Sequence, residues 1–108
     1  MNKRLSYTSQ REDLDLRRKR LLIRCWHRET QEADLILGAF AEQSIDKMRD
    51  AQLERLEALL DSTDADLFDW LLGNRMVPAE HDHDVIRLLR GFCGARPHSI
   101  LRSRPHQI

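Results

Sequence analysis

Apolar residues recur along this chain at the three- and four-residue spacing that lays them on one side of a helix, and they do so in successive segments. From about Asp13, Leu14, Leu21, Leu22, Cys25 and Trp26 share one stripe. Glu12, Asp13 and Asp15 stand at the end where the helix macrodipole favours acids, and arginines follow towards the other end. A second helix is expected over roughly Thr30 to Gln43, with Ala33, Leu37, Phe40 and Ala41 on its inner face and Leu35 and Ile36 beside it. Gly38 inside that helix costs about 1 kcal/mol relative to alanine. It implies either a closely packed neighbour or a local bend.

Ser44 to Lys47 reads as a connection. A third helix then runs to about Asp61, with Met48, Gln52 or Leu53, Leu56, Leu59 and Leu60 turned inward and Arg49, Asp50, Glu54, Arg55 and Glu57 facing water. STDADLFDWLLGN carries its own punctuation: Thr63 suits the cap, Asp64 and Asp66 the first turn, and Gly73 the left-handed stop. Leu67, Phe68, Trp70, Leu71 and Leu72 leave this fourth helix little exposed face. Pro78 opens the approach to a fifth, whose stripe is Val85, Ile86, Leu89, Phe92 and Cys93, with Gly91, Gly94 and Pro97 expected to end it. Met1 to Gln10 has no periodicity and reads as a flexible lead-in, so residues 1–11 are set apart from a domain over 12–94. Residues 95–108, with arginines and prolines and no acids, read as a disordered basic tail.

The expected architecture is therefore all-α, a compact five-helix bundle in a single domain. Composition agrees: 33% of the 108 residues are charged while glycine and proline are sparse. The net charge of zero argues against wholesale binding to nucleic acid or membrane, yet the charge is unevenly spread. Arg17, Arg18, Lys19, Arg20, Arg24 and Arg28 have no acid between them, whereas acids from Glu29 to Asp69 outnumber Lys47, Arg49 and Arg55. The start lacks an apolar signal core, and no apolar run approaches the roughly 20 residues of a membrane span. A soluble, cytoplasmic bacterial protein, monomeric when free, is the expectation. Cys25 and Cys93 lie within apolar stripes without metal spacing, as reduced core thiols would.

Candidate chemistry is sparse. His81 and His83 flank Asp82 beside Asp84, but residues two apart on a helix point about 200° from each other, and no further ligand cluster supports a metal. There is no phosphate-cradling glycine loop, no nucleophile elbow and no cysteine with an obvious base, so an enzyme is not expected. The run from Arg17 to Arg20 is read as a solvated helix face with intrahelical pairs, and Trp26 and Trp70 as core residues. Arg28 and Glu32 would form an i, i+4 pair if the backbone between them were helical. Their position between a basic helix and an apolar one sets them apart.

RRKRLLIRCWHRETQEADLILGAF, followed by DADLFDWLL and VIRLLR, resembles the succinate dehydrogenase assembly factors, a family of small five-helix proteins that promote flavinylation. The likeness runs from about Asp13 to Phe92, with its blocks in family order. The family carries an Arg-Gly-x-x-Glu signature. On this chain Arg28 and Glu32 take its charged positions, Asp34 the acidic position that often follows, and His27 and Arg24 would share their surface. The resemblance implies a partner-binding protein that engages the FAD-loaded flavoprotein subunit of succinate dehydrogenase, or of the related fumarate reductase, while the subunit's own histidine bonds to the flavin. The factor itself would hold no cofactor stably. Charge-assisted hydrogen bonds from these side chains would fix register on the partner.

Glu29 departs from the family glycine, which would permit positive φ and close approach of another backbone. A carboxylate left uncompensated in a buried interface costs several kcal/mol. Glu29 is therefore expected to spare the fold and to impair docking. The alternative is an antitoxin-like or regulatory binding module using the same helical surface.

Overall fold

The computed structural model describes the backbone of residues 3–95 and the side chains of residues 12–94. Among these residues are five α-helices: α1 (Lys3–Cys25), α2 (Gln31–Ser44), α3 (Asp50–Leu60), α4 (Asp64–Leu72) and α5 (Asp84–Ala95). Single 3₁₀ turns, Ile45–Lys47 and Ala79–His81, join α2 to α3 and α4 to α5. The described residues contain no strand, and the expected all-α five-helix architecture is the one observed. No helix among them is long and apolar enough to cross a membrane.

The expected stripes supply one continuous core. Leu21 and Cys25 from α1 meet Ile36, Leu37 and Phe40 from α2, Leu53, Leu56 and Leu59 from α3, Leu67 and Trp70 from α4, and Val85, Ile86 and Leu89 from α5. The Phe40 and Phe92 rings meet edge to face at 5.7 Å. Burial pushes the Cys25 thiol up to about 12, against the pull of Arg28 and Arg24, so it behaves as a small apolar side chain. Burial also raises Cys93.

Thr63 caps α4 by accepting the Asp66 amide, and Gly73 ends the helix at φ 81°. Five expectations change, one being that Trp26, read as a core residue, is only half-buried. Helix α1 starts at Lys3 rather than near Asp13, because Lys3 to Glu12 contains neither glycine nor proline and adding turns to a helix is cheaper than starting one; only Met1 and Asn2 of the expected lead-in, with residues 96–108 of the expected tail, lie outside the described residues. Helix α5 runs through Gly91 and Gly94 to Ala95, since neither glycine takes a positive φ and Phe92 between them is buried. Leu72, at the end of α4, is 52% exposed rather than wedged inside. The Arg17–Arg20 run is only partly a solvated face. Arg17 pairs with Glu57 of α3 at 3.1 Å, and Arg18 donates through Nη2 to the Met48 carbonyl at 2.7 Å.

His81 and His83 serve the fold. His81 is buried with its ring 5.2 Å from that of Trp70, and among the described residues no group of three or more His, Cys, Asp or Glu could hold a metal. His83 precedes α5, and its Nδ1 accepts the Ile86 amide at 3.3 Å, so the ring caps the helix as the neutral Nε2–H tautomer. Protonating Nδ1 would abolish that cap. Burial, then Arg55, holds the His83 pKa below its usual 6.5. Asp84, which takes hydrogen bonds from Gln52 at 2.8 Å and Arg55 at 2.7 Å, is also lowered, chiefly by Gln52. A folded-state pKa below the unfolded value means stability that is complete above the unfolded pKa and lost as pH falls. His83 sets the onset near 6.5 and Asp84 adds a second loss below 3.8. Urea denaturation should show stability declining from neutral pH towards pH 5. His83→Asn, which can cap without titrating, should flatten that decline; an unchanged slope would exclude the cap.

Candidate functional site

The α1–α2 turn is stitched to the α3–α4 turn. Arg28 sits in the irregular stretch between Cys25 and Gln31, outside either helix, and its guanidinium turns inward. Nε donates to Asp64 Oδ1 at 2.8 Å, Nη1 to the Leu60 carbonyl at 2.7 Å and Nη2 to the Ser62 carbonyl at 2.7 Å. Leu60 closes α3, so one side chain satisfies carbonyls that the end of that helix leaves without an intrahelical partner. The other Asp64 oxygen accepts the Thr30 amide at 2.8 Å and the Thr30 hydroxyl at 3.1 Å. Thr30 in turn caps α2 by accepting the Ala33 amide.

Charge is thus buried only where it is fully engaged. The side chains of Arg28 and Asp64 are 8% and 4% exposed. At that depth desolvation cancels much of their attraction, and the surrounding hydrogen bonds decide the balance. The turn is held from its backbone as well, because the Arg28 amide donates to Asp34 in the first turn of α2.

Glu29 takes part in the same junction. Its Oε1 accepts the Asp64 amide at 3.2 Å, one of the donors left open where α4 begins, and there the macrodipole favours an anion. No non-glycine residue among those described has a positive φ, so Glu29 occupies its position without backbone strain. A cleft of about 170 Å³ lies against this surface, lined by His27, Arg28, Glu29, Leu60, Asp61, Ser62 and Thr63.

The residues singled out from sequence are therefore brought together, but not as expected. Arg28 does not pair with Glu32: the backbone at 28 is not helical, and its charge is spent on Asp64. Glu32 lies half-buried in the first turn of α2. Arg24 makes an exposed pair with Asp61 at 3.1 Å, a contact worth about 0–1 kcal/mol. His27 is exposed, and its Nδ1 lies 2.8 Å from the Ile23 carbonyl, which makes Nδ1 the donor and leaves Nε2 as the acceptor. Asp64 was missed. It reads as an ordinary first-turn acid, and nothing near it in sequence announces a partner on another turn.

Residues 19–93, which contain both turns, match the family described as the flavinator of succinate dehydrogenase. The chain belongs to this family. It is 32% identical over 94 residues to a mitochondrial succinate dehydrogenase assembly factor 2 of Dictyostelium discoideum, covering 87% of this chain and 67% of that protein. An FAD assembly factor of Acetobacter pasteurianus is 37% identical over 76 residues, 70% of each chain. A mitochondrial assembly factor 2-B of Drosophila ananassae is 33% identical over 81 residues, covering 73% of this chain and 50% of that longer protein. At this junction Arg28 is buried as a clamp between the two turns, while His27, Glu29 and Arg24 are left exposed.

Proposed function

We propose that this chain is an assembly factor that binds the FAD-loaded flavoprotein subunit of succinate dehydrogenase and promotes covalent attachment of the flavin, supplying a shaped surface rather than a catalytic group. The observation that carries the reading is the family match over residues 19–93. The geometry is compatible with it. Arg28 and Asp64 make the two turns one rigid unit, which lowers the ordering cost of docking, and the exposed polar groups at its edge suit register and selectivity.

Covalent flavin should appear as in-gel fluorescence of the denatured flavoprotein subunit in cells that lack their own factor and receive this chain. A dark band beside soluble, expressed chain would overturn the proposal. Glu29→Gly should move two properties in opposite directions. It removes the acceptor for the Asp64 amide, which lowers folding stability by about 1 kcal/mol, and it clears the surface for a closely approaching backbone, which strengthens the band. Equal band intensities at equal protein levels would show that Glu29 does not obstruct docking.

A further inference from the structure

We infer that Trp26, flanked by Ile23 and Leu35, is the apolar centre of the surface on which the flavoprotein subunit docks, with His27, Glu29 and Glu32 as its polar rim. The inference rests on the function proposed above and adds to it the part of the surface that supplies most of the affinity.

Trp26 stands just past the end of α1 and is only half-buried. Its ring lies flat over Gly38 of α2, so that a Cβ at 38 would come within 2.2 Å of ring atom Cδ2. The indole N–H donates to Glu42 at 3.1 Å. One face and the polar edge of the indole are therefore committed, and what remains accessible is rigid apolar surface. A large aromatic fixed before binding loses little entropy when a partner covers it.

Apolar neighbours extend this surface. The Trp26 amide donates to the Ile23 carbonyl at 3.1 Å, and Ile23 is 53% exposed. On α2, Leu35 lies one turn before Gly38 and Glu42 one turn after it, on the side that Trp26 covers, and Leu35 is 44% exposed. Of the other large exposed apolar side chains, Leu16 lies two turns before Ile23 on the same face of α1, while Leu72, Met76 and Leu88 lie at the end of α4, in the α4–α5 connection and on α5.

Continuity identifies the occupant. His27 and Glu29 follow Trp26 directly, and Glu32 lies one turn before Leu35, so a protein seated on those groups also covers the indole. The cleft beside them is lined mainly by polar and charged residues and offers little apolar area of its own. A specific protein interface needs an apolar centre within its polar rim, and tryptophan is prominent among residues that dominate binding energy. Trp26, Ile23 and Leu35 supply that centre.

The test uses the full chain and the FAD-loaded flavoprotein subunit of the same organism's succinate dehydrogenase. Ile23→Lys and Leu35→Glu place charges that suit their helix ends on side chains already exposed, and circular dichroism checks that each variant folds. Each should weaken binding by about tenfold or more, while Met76→Glu, at a site 92% exposed, should stay within about twofold. In addition, chain labelled with 5-fluorotryptophan should show the ¹⁹F resonance of Trp26 shifting when unlabelled subunit is added, with that of buried Trp70 unmoved. Wild-type binding with both variants unaffected and Trp26 unshifted would overturn this inference and leave the proposed function standing. No binding by the wild-type chain would overturn both. A Trp26 resonance that shifts on concentrating the chain alone, with a dimer in sedimentation, would assign the patch to self-association and overturn the docking role.

Discussion

Arg28→Ala is expected to lower the unfolding free energy by about 3–5 kcal/mol, the range for removing one partner of a buried ion pair. The loss has three physical parts. Asp64, 4% exposed, would lose its counter-ion, and the Leu60 and Ser62 carbonyls would lose their donors. The two turns would also lose the link that joins them. Arg24→Ala is the matched control, because its pair with Asp61 is exposed and should contribute under about 1 kcal/mol. The effect of Arg28→Ala should persist at high salt, since buried pairs are little screened. Urea denaturation at two ionic strengths measures both, and a cost for Arg28→Ala no greater than that of Arg24→Ala would remove the clamp from the account. Changing both partners, Arg28→Met with Asp64→Leu, should recover much of the loss by leaving no orphaned charge. It would not restore the Thr30 contacts to Asp64, so the turn should stay looser than in the native chain. Stability and flavinylation would then separate, with the fold recovered more fully than the activity.

Gly38→Ala comes next, at about 1–3 kcal/mol, because it overfills a packed site. On an exposed helix face the same change would stabilise, since alanine is the better helix former. Here the added methyl would sit 2.2 Å from the Trp26 ring, closer than any real contact. The indole must lift away, giving up its packing on α2 and its hydrogen bond to Glu42. The signature is non-additivity. In a Trp26→Ala background, Gly38→Ala should be neutral or stabilising, so the double-mutant cycle should show a coupling of about 1 kcal/mol or more. Additive effects in thermal melts of the four proteins would mean that the ring does not limit position 38.

Local signals accounted for much of this molecule. The stripes through Leu21 and Cys25, Leu37 and Phe40, Leu53 to Leu60, and Val85 to Leu89 set the helices and their inward faces, and Thr63 and Gly73 marked the ends of α4. These are interactions among residues a few positions apart, so the order of residues contains them outright. Gly38 could be flagged as a close approach or a bend, but the ring that approaches arrives from another segment.

The sequence by itself determined the five-helix class, most of the core, the caps of α4 and the stretch from Arg24 to Asp34 as the place where the chain's unusual chemistry lies. Only the tertiary structure decided that Arg28 faces Asp64 rather than Glu32, that Glu29 meets the amide at the start of α4, that Trp26 lies on Gly38, and that Leu72 is left outside. Helical periodicity states which side of each segment is buried. It leaves open which residue of a distant segment will be met there, because that depends on how the helices cross after the chain has turned back on itself.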